Sequence, residues 1–173
     1  TNGKSTTTHM VSSILTHANI KNKVVGNIGV GLLWQIVENG LDTVYVLEVS
    51  SFQLASSSSF RAKIACLTNI TPDHIDWHGS YEEYTRCKLQ ITANQTPDDI
   101  IIVNADDHSS KLVKDITKAT VREISSQRPV EKGTYCIDEY FYIDGEKSII
   151  SKSDIKLVGR HNLENTLFAT EVA

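Results

Sequence analysis

The sequence predicts an α/β fold, a mostly parallel sheet flanked by helices, with a small antiparallel β section near residues 121–158. Three observations carry this. Nearly unbroken apolar runs at 43–49, 64–69 and 99–103 suit strands buried on both faces of a parallel sheet. Segments with apolar residues at helical spacing alternate with those runs, as βαβ units require. After about Val121 the alternation stops, and two β-like runs flank a turn at Asp144-Gly145.

The elements follow in order. Met10, Val11, Ile14, Leu15 and Ala18 recur at helical spacing and predict a helix over 5–18. Residues 23–27 read as a short strand running into the turn Gly26-Asn27-Ile28-Gly29. A second helix covers 30–38 and stops near Asn39-Gly40. After the strands at 43–49 and 64–69 comes a helix over 81–94, then the strand at 99–103. The segment Asn104-Ala105-Asp106-Asp107 ends that strand and caps a helix over 108–118. Residues 134–143 and 147–158 read as antiparallel strands, and 161–173 as a last helix.

Length and composition bound the function. The 173 residues suffice for one domain with its own core. A net charge of −4 offers no basic surface for nucleic acid or an anionic membrane. No apolar run approaches the ~20 residues of a membrane span, so no membrane insertion is expected. Three cysteines, an odd number without a C-x-x-C pair, predict free thiols and a cytoplasmic location.

The chemistry begins at Thr1-Asn2-Gly3-Lys4-Ser5-Thr6. Gly-Lys-Ser opening a helix is the back half of a phosphate-binding loop. Backbone N–H groups at the helix start cradle phosphate oxygens, the Lys reaches the β/γ-phosphates, and the hydroxyl binds Mg²⁺. The alternative is a plain helix start with Ser5 as N-cap. The full loop also needs an upstream glycine and a buried strand before it. These 173 residues contain neither, so the expectation is a piece of a larger protein whose sheet lacks a central strand and exposes its edges.

Glu48 lies near the carboxyl end of a buried strand, where ligands bind in open α/β sheets. An acid there can hold Mg²⁺ opposite the phosphate loop, or pair with a neighbouring base. The segment Asn69-Ile70-Thr71-Pro72-Asp73-His74-Ile75-Asp76-Trp77-His78 follows the next strand. Its His/Asp spacing matches no zinc pattern. A turn capped by Asp73 or Asp76 is the other reading, with His78 structural. Spacing alone keeps Lys88 on a solvated helix face. Asn162 and Asn165, three apart, share one helix face.

Taken together, TNGKST, GNIG, LEVSSFQL, TNITPDHIDWHG, the Lys88-Leu89 helix, NADD and GRHNLEN resemble the Mur ligases, in family order and over nearly the whole chain. These are ATP-dependent amide-forming enzymes of peptidoglycan precursor synthesis. Phe52-Gln53-Leu54 is most similar to the branch that adds D-glutamate. Another Mur ligase, a folylpolyglutamate synthetase, a P-loop kinase or switch, and a non-catalytic nucleotide-binding module are the rivals.

The resemblance implies a P-loop-type central ATPase domain over 1–173, cut at both ends. The domains for the UDP-linked muramoyl substrate and for the incoming amino acid are missing from it. It implies ATP binding by Thr1, Asn2, Gly3, Lys4, Ser5, Thr6, Asn162 and Asn165. Two Mg²⁺ ions are implied, one held by Ser5, Thr6 and Glu48, the other by His74 and Lys88 as an N-carbamate. Asn27 and Ser51 would contact the acyl substrate. Lys4, His74 and Lys88 are the implied catalytic residues, and a monomer is expected. The implied chemistry is carboxylate activation as an acyl phosphate, then attack by the amino group of D-glutamate. The 173 residues alone are expected to be inactive.

Overall fold

The structure, a computed structural model, describes residues 3–173. The roles implied for Thr1 and Asn2 lie outside the described residues.

Helix α1 (Lys4–His17) opens the described chain and leads into β1 (Asn22–Gly26), α2 (Leu32–Asn39) and β2 (Val44–Glu48). Two short helices, α3 (Ser51–Ala55) and α4 (Ile75–His78), flank β3 (Ile64–Leu67). Then come α5 (Tyr81–Leu89), β4 (Ile100–Asn104), α6 (Ser109–Ile116) and β5 (Thr120–Ser125). Strands β6 (Gly133–Ile137), β7 (Tyr140–Ile143) and β8 (Glu146–Ser151) precede α7 (Arg160–Val172).

Strands β1 and β2 pair in parallel as one ribbon. Strands β3-β4-β5-β6 form a parallel sheet, extended by the antiparallel pairs β6-β7 and β7-β8. Strand β4 is buried on both faces, as its apolar run predicts. Ile101 and Val103 join Tyr84 and Val113 on one side. Ile102, one residue out of phase, joins Leu167 and Phe168 on the other. Helix α1 packs against α7 through Val11, Leu15 and Ala169.

Among the described residues the strands fall into two separate sheets. Strands β2 and β3 are edge strands of separate sheets, and between them lies a cavity of about 990 Å³. Every residue of 44–49 and of 60–68 lines it. A strand offering a face would contribute alternate residues. Two strands contributing every residue present their edges.

Several sequence expectations need correction. The run at 134–143 is two strands, because Asp138 takes a left-handed conformation (φ 55°) and turns the chain. Residues 152–158 are no strand, and a single 3₁₀ turn, Lys152–Asp154, lies there. Strand β5 was hidden by two charges in mid-run, Arg122 and Glu123. Arg122 reaches the carboxylates of Asp144 and Glu171, and Lys114 reaches Glu123 at 2.7 Å. Paired charges are compatible with a sheet interior. Neither Asp73 nor Asp76 caps α4, whose N-cap is His74. Asp106 turns away from α6 to accept from Ser125 and Ser126, while Asp107 accepts from Ser109 N–H at 2.9 Å.

The approach to β3 is tied down by Asp99, whose side chain is fully buried. It accepts from Arg61 Nε at 2.7 Å and Nη2 at 3.1 Å, and from Thr96 N–H at 2.8 Å. The Arg61 hydrogen bonds hold its carboxyl well below the usual carboxylate range. A depressed carboxyl adds stability that is complete above the unfolded value and is lost as pH falls below it. Asp99→Asn will therefore lower the thermal midpoint by several degrees at pH 7. In melts at pH 3 the gap to the parent protein will shrink.

Candidate active site

Helix α1 begins at Gly3, which has a left-handed backbone (φ 91°). A Cβ at this position would lie 2.3 Å from Asn165 Oδ1, so only glycine lets the loop rest on α7. Asn165 is buried, and its Oδ1 accepts from Thr7 at 3.3 Å. Asn162 stands beside it, with Oδ1 3.5 Å from Asn165 Nδ2. The two asparagines thus share a face, as their spacing predicts. Asn165 braces the start of α1, and among the described residues neither asparagine lines the cavity. Ser5 is no N-cap, since Gly3 holds that position without a side-chain bond.

The first turn of α1 brings Ser5 to Glu48, with Oγ donating to Oε2 at 2.5 Å. Asn27 Nδ2 donates to the other carboxylate oxygen at 2.9 Å, and Asn27 N–H donates to the Glu48 carbonyl at 2.8 Å. The left-handed Gly26 (φ 103°) makes this approach possible, because a Cβ there would lie 2.3 Å from the Glu48 carbonyl oxygen. Glu48 is 3% exposed, and both side-chain donors are neutral. A buried carboxylate held by neutral donors suits a cation, and its oxygens with the Ser5 hydroxyl suit a hard one. Thr6, half-buried, lies one residue further along α1.

Beyond β3, His74 is held left-handed (φ 52°), with Nε2 3.6 Å from Asp73 Oδ2. Its ring lies 4.9 Å from that of Phe52. Helix α5 starts at Ser80, whose Oγ accepts from Glu83 N–H at 3.1 Å, and carries Lys88 inward. Lys88 is only 7% exposed, so spacing misplaced it on a solvated face. Its Nζ sits 5.3 Å over the Tyr84 ring. Burial pushes its ammonium down to about 7, helped by the nearby charge of Lys4 and opposed by Asp73 and Asp107.

Lys4, Asn27, Glu48, Ser51, His74 and Lys88 all line the carboxyl end of the one cavity between β2 and β3. Among the described residues, no three His, Cys, Asp or Glu side chains stand together as a metal-binding group. Aromatic contacts that no spacing marks also stand here. Phe52 packs on the His74, Trp77 and His78 rings, and buried His78 meets Ser51. No spacing rule marks an aromatic platform built from two short helices that are far apart in sequence.

Comparison with known proteins shows the family and the fold. The chain is 40% identical over 173 residues to the UDP-N-acetylmuramoylalanine–D-glutamate ligase of Caldanaerobacter subterraneus, covering 100% of the chain and 38% of that protein. It is 42% identical over 172 residues to the ligase of the same name from Halalkalibacterium halodurans, covering 99% and 38%. The chain thus spans about two-fifths of the length of these relatives. Among solved structures, MurF ligase from Thermotoga maritima in complex with ADP superposes with a TM-score of 0.72 at 17% identity, covering 99% of this chain and 43% of that one. E. coli FolC in complex with DHPP and ADP superposes at 0.68 and 22% identity, covering 98% and 50%. These two likenesses speak for the fold. The family profile for the Mur ligase middle domain matches residues 1–173, and the chain belongs to that family.

Proposed function

We propose that this chain is the central ATP-binding domain of a cytoplasmic ligase that adds D-glutamate to UDP-N-acetylmuramoyl-L-alanine. The domains that bind the UDP end of that substrate and D-glutamate lie in the rest of the protein. One observation carries the reading. The phosphate-loop lysine, a buried carboxylate and a buried, proton-poor lysine meet at the carboxyl end of one parallel-sheet cavity.

Lys4 neutralises the phosphates of ATP, and α1 directs its N-terminal N–H groups at them. Ser5, Thr6 and Glu48 would hold one Mg²⁺, and His74 with a carbamylated Lys88 would hold a second. Two divalent ions there would offset charge on the transferring phosphoryl group and orient its oxygens. Lys88 is suited to the modification. A lysine titrating near 7 presents a large neutral fraction at cytoplasmic pH, and only the neutral amine attacks CO₂. The substrate carboxylate takes the γ-phosphoryl group, ADP leaves, and the amine of D-glutamate displaces phosphate. No side chain need act as a nucleophile. Alignment and charge neutralisation lower the barrier.

The full-length protein assayed with ATP, Mg²⁺ and UDP-N-acetylmuramoyl-L-alanine will release phosphate with D-glutamate. It will release none above background with L-alanine, L-lysine or diaminopimelate. Turnover with another amino acid instead would overturn the assignment within the family.

A further inference from the structure

The mechanism leaves His78 without a role, although it is buried against Ser51. Ser51 opens α3 directly after β2, and His78 ends α4 beyond β3. Ser51 Oγ and His78 Nε2 are 3.0 Å apart, and the two residues are 9% and 7% exposed. The imidazole is clamped on several sides. Phe52 stacks on its face (5.4 Å, 12°), while Trp77 and Tyr84 meet it edge-on at 4.5 and 5.3 Å. The other ring nitrogen, Nδ1, is buried with no hydrogen-bond partner among the described residues.

That unpartnered nitrogen decides the direction of the bond. A proton on Nδ1 would be a buried donor without an acceptor, which is costlier than leaving that nitrogen's lone pair unpaired. With Nδ1 unprotonated, the ring proton must sit on Nε2, and Nε2–H donates to Ser51 Oγ. A hydroxyl that accepts from histidine keeps its own proton for another partner. Ser51 lines the same cavity as Glu48 and His74, where an anionic substrate oxygen could face it.

We infer that His78 is a positioning residue. By donating from Nε2 to Ser51 Oγ, it commits the Ser51 proton to a carboxylate or phosphoryl oxygen bound in the cavity. The same bond pins α4, and with it His74, to the segment that follows Glu48. This rests on the proposed ligase reading for its activity arm only.

The test uses the full-length protein. Heteronuclear ¹⁵N spectra of histidine-labelled protein, with His78→Gln for assignment, will show His78 protonated at Nε2 and bare at Nδ1. The reverse tautomer overturns the inference whether or not the enzyme is active. In the ligase assay, His78→Phe and Ser51→Ala will each lower kcat/KM for the acyl substrate about tenfold to a hundredfold. The KM for ATP will hold in both. His78→Gln, which keeps a donor at the Nε2 position, will recover most of the loss. The double variant will be no worse than Ser51→Ala. Losses that multiply, or that track a lower melting point in all three variants, assign His78 to scaffolding and sink the inference. A full-length protein that forms no amide, but shows the expected tautomer, overturns the ligase reading and leaves the donor direction intact.

Discussion

Lys88→Met will give a full-length protein that is more stable than its parent and almost inactive. The two effects have one cause. Burial lowers the Lys88 ammonium from its ordinary value of 10.5 to about 7. The unfolded chain therefore holds this proton more tightly than the folded one. The sign follows from linkage. Below pH 7 both states are charged and the folded state bears the full penalty. Between about 7 and 10.5 the folded state is neutral and the penalty shrinks. Above 10.5 it is gone. A shift of that size corresponds to about 5 kcal/mol below pH 7. Methionine fills a similar volume without charge, so part of the penalty should return as stability, about 2 kcal/mol in CO₂-free buffer. Urea titrations from pH 6.5 to 10 check this, since the parent curve should rise with pH and the Lys88→Met curve should stay flatter.

Activity will move the other way. In the mechanism proposed above, the variant cannot form the carbamate and so would lack the anionic oxygen ligand proposed beside His74. Amide formation should fall by ~10³-fold or more, because charge stabilisation of the transferring group is the main catalytic contribution in such a site. Lys88→Ala leaves space beside Tyr84, and formate or acetate should restore part of its rate by supplying a carboxylate. A Lys88→Met enzyme with unimpaired turnover would remove Lys88 from the chemistry.

Local sequence made the parallel core legible, and non-local pairing concealed the rest. The run Ile101-Ile102-Val103 is apolar at every position because both faces of β4 are covered, so it announces itself without context. Strand β5 did not, because its mid-strand charges are satisfied only by Asp144, Glu171 and Lys114, which lie elsewhere in the chain. The turn at Asp138 went unseen because Asp138-Glu139 lacks the glycine that usually supports a left-handed residue. The site divides in the same way. Gly3-Lys4-Ser5 and Glu48 are readable because a helix start and a strand end each impose a local chemistry. Lys88 is unreadable by spacing, since what buries it is the cavity between two sheets. Resemblance alone found it. Asn165 was readable as a position on a helix face, yet its work against Gly3 depends on α7 docking beside α1.

Filling the cavity with a strand should give the largest gain in stability. Strands β2 and β3 face each other edge to edge, and their carboxyl ends meet the start of α1. Each strand runs parallel to its own sheet neighbour, and Glu48 and the residues beyond Leu67 reach the same end of the gap. A single strand running parallel to both would hydrogen-bond on its two sides and deliver its end to Gly3. Val11 and Leu15 of α1 wait on one side of such a strand, and Leu54, Tyr84 and Ile91 wait elsewhere in the same cavity. A designed amino-terminal extension of five or six Val/Ile-rich residues, joined to Thr1 through a short glycine turn, is the test. Burying that many apolar side chains contributes ~2 kcal/mol each, against ~1.5 kcal/mol of ordering per residue. Net stabilisation of about 3 kcal/mol follows, or roughly 10 °C in the thermal midpoint of a domain this size. Amide protons of Val44–Glu48 and Ile64–Leu67 should become protected from hydrogen exchange together with the gain. A matched extension carrying proline in mid-strand cannot complete the ladder and should give neither effect. If both extensions behave alike, the edges of β2 and β3 do not accept a strand, and the gap is closed in some other way.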